Sequence, residues 1–145
     1  MQPAALRAIG ALNTWVYRLS GGRIMGRMPN GAPICLLTTT GRKSGQRRTV
    51  PLLYLADGDD LIVVGSQGGA PRHPSWFLNL ETNPQAEVEL GRRRVPVTAF
   101  RLSEEERDRV WPRLVALYPP YEAYRRRTTR SIPVVRLSPR SRAPD

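Results

Sequence analysis

Three residue types that often carry chemistry are nearly absent from this chain of 145 residues: cysteine, histidine and lysine occur once each, as Cys35, His73 and Lys43. One cysteine excludes an intramolecular disulfide and a metal site built from several cysteines. Its neighbours in residues 34–37 are apolar, which predicts a buried thiol that packs as a small hydrophobic side chain. A Ser-His-Asp triad could involve only His73, and no Gly-x-Ser-x-Gly sequence is present. Hydrolysis is therefore disfavoured.

Acidic side chains are also scarce. The chain has 12 aspartates and glutamates against 23 lysines and arginines, which gives a formal net charge of +11. The acidic residues lie mostly in residues 104–106 and in turns, so neither a paired-carboxylate site nor an oxygen-rich metal cage is predicted. The excess positive charge predicts an anionic partner, which could be nucleic acid, an anionic membrane surface or a polyanionic small molecule.

No apolar run reaches the roughly 20 residues of a membrane-spanning helix, and the N-terminus lacks the order of a signal peptide. The expected location is the cytoplasm.

Residues 4–19 carry apolar side chains at helical spacing before a stop signal, so we interpret residues 1–22 as an amphipathic helix. It either packs on the domain, which we favour, or lies peripherally on a membrane, with Trp15 as anchor and Arg7 and Arg18 at the headgroups.

The remaining chain is long enough for one domain, which we place at residues 23–139, with a frayed tail at 140–145. Apolar runs between turn-forming clusters predict strands at 34–39, 49–55, 61–66, 86–90, 95–102 and 132–137, and helices at 74–80 and 103–117. An antiparallel meander is expected, with Pro96 at an edge or bulge. Ser103 and Glu106 predict a capping box. The fold class is thus mainly β with flanking helices (α+β), a small barrel or a strongly curled sheet.

The turn between the first two predicted strands combines glycines, hydroxyls and cations. Its sequence is Thr38-Thr39-Thr40-Gly41-Arg42-Lys43-Ser44-Gly45-Gln46-Arg47-Arg48. Glycines permit backbone conformations in which successive amides point at one anion. Arginine adds a bidentate fork and lysine a point charge. The turn is therefore predicted to hold a phosphate or another acidic group, and the alternative is an ordinary polar hairpin.

Two further segments suit a bound cofactor, which a chain so poor in acids, bases and metal ligands needs for redox chemistry. Residues 64–70 form a loop of small residues after a predicted strand, where a flat ring can approach the backbone; the alternative is a flexible loop. Tyr118, Tyr121 and Tyr124 recur at three-residue spacing and can gather on one side of a turn or helix. Phenols stack on rings and donate protons. The alternative is that the three tyrosines only pack at the edge of the hydrophobic core.

Together these segments belong to one ordered series of motifs. It runs as Leu36-Leu37-Thr38-Thr39-x-Gly41-Arg42-Lys43-Ser44-Gly45-Gln46, Pro51-Leu52, Asp57-Gly58, Ser66-x-Gly68-Gly69-Ala70, Pro74-x-Trp76-x-Leu78-Asn79-Leu80, Asn83-Pro84, Trp111-Pro112, Tyr118-Pro119-x-Tyr121-x-x-Tyr124 and Ile132-Pro133. The series resembles the deazaflavin-dependent nitroreductase family and covers the chain from about Ile34 to Pro139. The resemblance implies a split β-barrel, like that of FMN-binding proteins, and an oxidoreductase that uses the reduced deazaflavin coenzyme F-420.

The resemblance also implies the residues of the site. The positive charge suits F-420, because its chromophore is joined through a phosphodiester to lactate and an oligoglutamate tail. The implied cofactor contacts are Arg42, Lys43 and Ser44 at the phosphate or tail, Arg48, Thr49, Val50, Pro51, Leu52 and Leu53 along the next wall, and Val64, Gly65, Ser66, Gln67, Ser75, Trp76, Phe77, Leu78 and Asn79 around the ring. Tyr121 is implied to close over the ring. Leu53, Tyr118 and Tyr124 are implied to shape the acceptor pocket.

Members of the resembled family pass a hydride to quinones, enones and nitroaromatics. Ser66 and Tyr121 are the implied candidates for hydrogen bonding or protonating the reduced acceptor. A menaquinone-like quinone is the expected acceptor, and it would give the N-terminal helix a reason to touch an anionic membrane. Relatives with strong nitroimidazole activity carry tyrosine at the position of Leu53. The neighbouring Tyr54 is predicted to point to the other face, because strand side chains alternate.

Three other functions stay open. An FMN-binding split-barrel oxidoreductase would share the fold with another cofactor, and a carrier would hold F-420 without turnover. A nucleic-acid-binding protein would use the arginine runs at residues 92–94 and 125–127. Aromatic residues are not interleaved with those runs as single-strand binding requires, so no nucleic-acid partner is expected.

Overall fold

The computed structural model describes Thr14, residues 17–20 and residues 31–140. The strands are β1 (Ile34–Thr40), β2 (Arg47–Leu53), β3 (Leu55–Asp57), β4 (Asp60–Val64), β5 (Gln85–Leu90), β6 (Arg93–Arg101) and β7 (Val134–Pro139). The α-helices within residues 31–140 are α1 (Ser75–Thr82), α2 (Glu104–Leu117) and α3 (Pro120–Arg127), and a 3-10 turn spans Gln67–Gly69. Thr14 and residues 17–20 are also helical.

The strands form one antiparallel sheet with the order β2-β1-β5-β6-β7-β4-β3. The hairpins β1–β2, β3–β4 and β5–β6 join strands that are neighbours in the chain. The predicted meander is nevertheless wrong, because β1 pairs with β5 and β7 inserts between β6 and β4. Turn sequences specify hairpins but not pairings between distant strands. Since β2 and β4 also approach each other, the sheet curls into a half-barrel with helices at its flanks.

Side chains alternate between the two faces of the sheet and form two apolar clusters. On β4, Leu61 and Val63 join the first cluster, whereas Ile62 and Val64 join the second. The first cluster also contains Cys35, which is fully buried as predicted, and burial raises the pKa of its thiol to about 12. Helix α1 covers the first cluster, and α2 and α3 cover the second. Each helix is therefore held in place by its buried apolar side chains.

Two sequence signals explain where elements pair and begin. Pro96 lies inside β6, but the pairing of β6 with β7 starts only at Val97, and the Pro96 carbonyl accepts from the Arg140 N–H (2.9 Å) beyond β7. The predicted edge or bulge is wrong, because β6 is an interior strand whose register with β5 is continuous through Pro96. Proline is tolerated here because its missing N–H falls where the pairing with β7 has ended. Helix α2 begins at the predicted capping box. The Ser103 hydroxyl accepts from the Glu106 N–H and the Glu106 carboxylate from the Ser103 N–H, both at 3.1 Å.

The described part of the N-terminal helix docks on β5 and on the turn that follows it. Tyr17 is buried; its hydroxyl accepts from the Gly91 N–H (2.8 Å) and donates to the Glu89 carbonyl (3.3 Å). Arg18 donates to the buried Glu89 carboxylate from Nε (3.0 Å) and from Nη2 (2.9 Å). These residues pack on the domain, as favoured above. Arg18, which the alternative interpretation placed at lipid headgroups, binds Glu89 instead.

Some predictions about the chain ends lie outside the described residues. They include the membrane anchor Trp15, the headgroup contact Arg7 and residues 141–145 of the tail predicted at 140–145. Arg140, the first residue of that tail, is held by the hydrogen bond from its N–H to the Pro96 carbonyl. Among the helices of the described residues, none is both long and apolar enough to cross a membrane.

Candidate active site

The turn between β1 and β2 is closed by its own hydrogen bonds. The Gly41 N–H donates to the Gln46 carbonyl (2.7 Å), the Gly45 N–H to the Gly41 carbonyl (2.8 Å) and the Gln46 N–H to the Ser44 hydroxyl (3.1 Å). Gly45 has a φ of 72°, a conformation that favours glycine. A Cβ atom on Gly41 would lie 2.8 Å from the Ser44 hydroxyl oxygen. Both glycines are thus required by the turn itself.

The cations of this turn have different roles. Arg42 donates from its backbone N–H (3.1 Å) and from Nη1 (2.9 Å) to the Asn79 side-chain oxygen, and the Asn79 amide donates to the Thr39 hydroxyl (3.1 Å). This network fixes α1 against the turn. Lys43 and Arg48 are exposed, and neither side chain makes a hydrogen bond or ion pair in the described part of the chain. Their charges are available to an anion.

Strand β2 connects the charged turn to the apolar end of the site. Among the described strands it pairs with β1 alone, and its 7 residues span about 20 Å at about 3.3 Å per residue. Leu53 at the far end packs in the second cluster with Tyr118 and Tyr124, whereas Tyr54 packs in the first. The predicted opposite orientation of Tyr54 is confirmed. The predicted strand 49–55 is divided at Tyr54 into β2 and β3.

The loop after β4 has a defined conformation and close packing. Gln67 has a φ of 45°, which is uncommon outside glycine, and Gly69 has a φ of 79°. A Cβ atom on Gly69 would lie 2.9 Å from the Tyr124 carbonyl oxygen. One on Gly65 would lie 2.8 Å from the Pro133 ring. The loop therefore lies directly against α3 and against the segment that precedes β7.

The three predicted tyrosines gather at the junction of α2 and α3. The Tyr118 and Tyr121 rings meet edge to face with centroids 5.0 Å apart, and the Tyr118 and Tyr124 hydroxyls are hydrogen bonded at 3.2 Å. Trp111 Nε1 of α2 donates to the Glu122 carboxylate of α3 (2.7 Å), which ties the two helices together. Together with Leu53 and Val64, the tyrosines belong to the second cluster.

Two hydroxyls in buried residues are available to a ligand. Ser66 and Tyr121 are 6% and 5% exposed, and neither side chain has a hydrogen-bond partner among the residues that the structure describes. Burial raises the pKa of the Tyr121 phenol, and the hydrogen bond with Tyr124 raises the pKa of Tyr118. Both phenols are therefore protonated at neutral pH and can donate a hydrogen bond or a proton.

The residues of α1 contribute to the site mainly by holding it in place. Trp76 and Phe77 are buried in the first cluster, and Phe77 is only 1% exposed, so its side chain offers little surface to a ligand. Asn79 binds Arg42 as described above, whereas Ser75 is exposed and Leu78 is half-buried. Within residues 75–79, Ser75 and Leu78 thus keep the most surface for contact with a ring.

Arg130 is a residue of this region that sequence analysis missed. Its guanidinium donates to the backbone carbonyls of Gly65 (3.1 Å), Ser66 (2.7 Å) and Ala70 (2.8 Å). The chain is rich in arginine, and no motif distinguished this one. Only the fold, which brings the segment before β7 beside the loop after β4, places it there.

Comparison with known proteins decides the family. The model of the F420H(2)-dependent quinone reductase family matches residues 10–139 of the chain. The chain belongs to this family. Membership confirms the predicted deazaflavin-dependent oxidoreductase, with reduced coenzyme F-420 as its cofactor and quinone reduction as its reaction.

Individual relatives agree with this assignment. The F420H(2)-dependent quinone reductase of Mycobacterium tuberculosis is 42% identical over 132 residues, which are 89% of each chain. A solved structure of an F420-H2 dependent reductase is 44% identical, covers 73% of this chain and 94% of its own, and superposes with a TM-score of 0.67. A second solved structure, described only as a domain-swapped dimer, is 40% identical over 86% of this chain and 98% of its own, with a TM-score of 0.68. The predicted split-barrel fold is confirmed.

The residues present in this family member fit coenzyme F-420. Lys43 and Arg48 supply uncompensated positive charge for a phosphate and an acidic tail. Ser66 and Tyr121 supply hydroxyls without other partners in the described ranges. Residues 49–53 of β2 are half-buried and lie in the chain between the basic turn and Leu53, which packs beside the tyrosines. A charged end and an apolar, hydroxyl-bearing end match a molecule with a flat ring and an anionic tail.

Proposed function

We propose that reduced F-420 binds along β2 and that this family member transfers its hydride to a quinone held by the tyrosines. The observation that supports this arrangement is the course of β2 (Arg47–Leu53), which follows the turn that carries Lys43 and ends at Leu53 beside the tyrosines. When bound, the reduced deazaflavin supplies the hydride. The chain supplies binding, orientation and protons.

The anionic part of the cofactor is assigned to the basic turn. Lys43 and Arg48 would bind the phosphate or the acidic tail, because they are the exposed cations of this turn without a protein partner in the described residues. Arg42 would contribute its remaining N–H groups while Asn79 keeps the turn in position. The Ser44 hydroxyl accepts from the Gln46 N–H and would donate its own hydrogen to the anion.

The acceptor is assigned to the tyrosine cluster. A quinone that gains a hydride needs one proton to become a quinol, and a hydrogen bond to the oxygen on which charge develops lowers the barrier. Tyr121 and Ser66 would donate to the acceptor, because the Tyr121 phenol is protonated at neutral pH and both hydroxyls lack partners in the described ranges. Leu53, Tyr118 and Tyr124 would shape the pocket, with enones and nitroaromatics of similar size as further acceptors.

Replacing Tyr121 with phenylalanine tests the proposed donor. We expect the oxidation of reduced F-420 by menadione, followed by absorbance, to slow by about 10-fold to 100-fold in kcat, because the hydroxyl is lost and the ring remains. The dissociation constant of F-420 should change by less than about 3-fold. Tyr54→Phe is the matched control, since Tyr54 packs in the first cluster on the other face of the sheet. Equal losses of cofactor affinity and turnover in Tyr121→Phe would assign Tyr121 to packing instead.

A menaquinone-like acceptor would require contact with a membrane, and we propose that the N-terminal helix makes it. We keep residues 1–22 as this helix, 23–139 as the cofactor-binding domain and 140–145 as a tail. Leu19 at the described end of the helix is 62% exposed. Tyr17 touches Gly91, which precedes the exposed Arg92 and Arg93. Exposed apolar and cationic side chains close together suit an anionic lipid surface.

Sedimentation with lipid vesicles tests the membrane contact. We expect the protein to sediment with vesicles that contain phosphatidylglycerol and to stay in solution with phosphatidylcholine alone, because the arginines need anionic headgroups. Leu19→Asp should weaken sedimentation, since it places a negative charge at the apolar contact. If the wild-type protein does not bind the anionic vesicles, the membrane contact is refuted, and the assignment of cofactor and quinone is unaffected.

A further inference from the structure

Arg130 occupies an unusual position at the loop after β4. Its guanidinium makes four hydrogen bonds: Nε to the Ala70 carbonyl (2.8 Å), Nη1 to the Gly65 carbonyl (3.1 Å) and to His73 Nδ1 (3.0 Å), and Nη2 to the Ser66 carbonyl (2.7 Å). The side chain is half-buried. All three of its nitrogens are thus committed to a single loop and to the histidine that follows it.

The loop that Arg130 holds needs such a support. Its backbone is in left-handed conformations at Gln67, Gly68 and Gly69, with φ values of 45°, 63° and 79°. Left-handed backbone at a residue other than glycine is costly and persists where surrounding contacts enforce it. Carbonyls that converge on one point require a donor that reaches all of them, and the planar fork of arginine does so with little loss of side-chain entropy.

His73 completes the contact as a neutral acceptor. Burial and the nearby charges of Arg130 and Arg101 lower the pKa of His73, whereas Glu81 acts in the opposite direction. Its Nδ1 can therefore accept from Arg130, and its ring packs edge-on against Phe77 with centroids 5.1 Å apart. The histidine links the guanidinium to the first cluster, which limits the movement of Arg130.

We infer that Arg130 is the positioning residue that directs the Ser66 hydroxyl into the active site. The inference rests on the proposed function, in which Ser66 contacts the ring or acceptor. The Ser66 hydroxyl has no partner among the described residues that would orient it, so its direction depends on the backbone at Ser66. Arg130 fixes that backbone by binding the carbonyls of Gly65 and Ser66. Gly69 of the same loop packs against Tyr124, so the position of the loop also affects the position of α3.

The variants Arg130→Lys and Ser66→Ala, alone and together, test this inference. Lysine keeps the charge but cannot span three carbonyls from a single nitrogen. We expect Arg130→Lys to lower kcat for the oxidation of reduced F-420 by menadione by about 10-fold in the wild-type background and by less than about 2-fold in the Ser66→Ala background, because residues that act through one another are not additive. Arg136→Lys is the matched control, a half-buried arginine bound to Asp57 and Asp60 away from the site. It should leave kcat unchanged.

The outcomes separate this inference from the proposed function. Absence of menadione-dependent oxidation in the wild-type protein would refute the proposed function. With wild-type activity intact, an equal fall in kcat in both backgrounds would overturn the positioning role of Arg130, and so would an unchanged kcat in Ser66→Ala alone. If thermal unfolding shows that Arg130→Lys does not fold, His73→Phe removes one of the four contacts instead. We expect His73→Phe to lower kcat by about 3-fold in the wild-type background and to leave kcat unchanged in the Ser66→Ala background. An equal fall in kcat in both backgrounds would overturn the inference.

Discussion

Replacing Gly69 with alanine is expected to lower the free energy of unfolding by about 3 kcal/mol and to reduce turnover by at least about 10-fold. Two costs combine at this position. The φ of 79° is strained for alanine, and the new Cβ atom would lie 2.9 Å from the Tyr124 carbonyl oxygen and 3.0 Å from the Arg127 Cβ. Relief requires α3 to move away from the loop, which separates the tyrosines from Ser66. Denaturant unfolding and the menadione assay measure the two effects.

The neighbouring glycine provides a matched control. Gly68 has a φ of 63°, but a Cβ atom there would have no heavy atom within 4 Å. Gly68→Ala should therefore show only the backbone cost, about 1 kcal/mol, and retain its turnover. If Gly68→Ala and Gly69→Ala destabilise the protein equally, or if Gly69→Ala keeps full turnover, the close packing of the loop on α3 does not support the active site.

Reversing the charges of Lys43 and Arg48 together is expected to weaken F-420 binding by about 100-fold or more. Each charge-assisted contact contributes about 1.5 to 3 kcal/mol, and about 2.7 kcal/mol corresponds to a 100-fold change in the dissociation constant. The double variant Lys43→Glu and Arg48→Glu also introduces repulsion toward the phosphate and the acidic tail. Fluorescence titration with F-420 measures the loss. Raising the salt concentration should weaken wild-type binding more than binding by the variant.

A second double variant shows whether the loss of F-420 binding comes from local contacts with the basic turn or from the lower net charge of the protein. Arg92→Glu and Arg93→Glu cause the same change in net charge at the β5–β6 turn, outside the proposed site. This variant should bind F-420 within about 3-fold of the wild-type affinity, because exposed charges beyond a Debye length are screened. Equal losses in the two double variants would contradict the assignment of the anionic part of the cofactor to the basic turn.

Local features of this chain could be predicted from its sequence because neighbouring residues determine them. The capping box at Ser103 and Glu106 formed as expected, and Cys35 is buried. The alternation of strand side chains placed Leu53 and Tyr54 on opposite faces. The motif series identified the family, which the family model confirms.

Contacts between distant segments could not be predicted in this way. The pairing of β7 with β4 and β6, the ion pair of Arg18 with Glu89 and the binding of Asn79 by Arg42 join residues that no local pattern relates. Arg130 is the clearest example: arginine is abundant in the sequence, and its role depends on three carbonyls that the fold turns toward it. For the same reason, the burial of Phe77 in the first cluster follows from the packing of α1 on the sheet, whereas the motif alone suggested contact with the ring.

The most direct test of the account is a fluorescence titration of the purified protein with F-420 and, in parallel, with FMN, followed by absorbance-monitored oxidation of reduced F-420 by menadione. We expect binding of F-420 at micromolar concentration or below, much weaker binding of FMN, and oxidation that depends on both the protein and menadione. Preference for FMN, or binding of F-420 without menadione-dependent oxidation, would contradict the conclusion that this site performs deazaflavin-dependent quinone reduction.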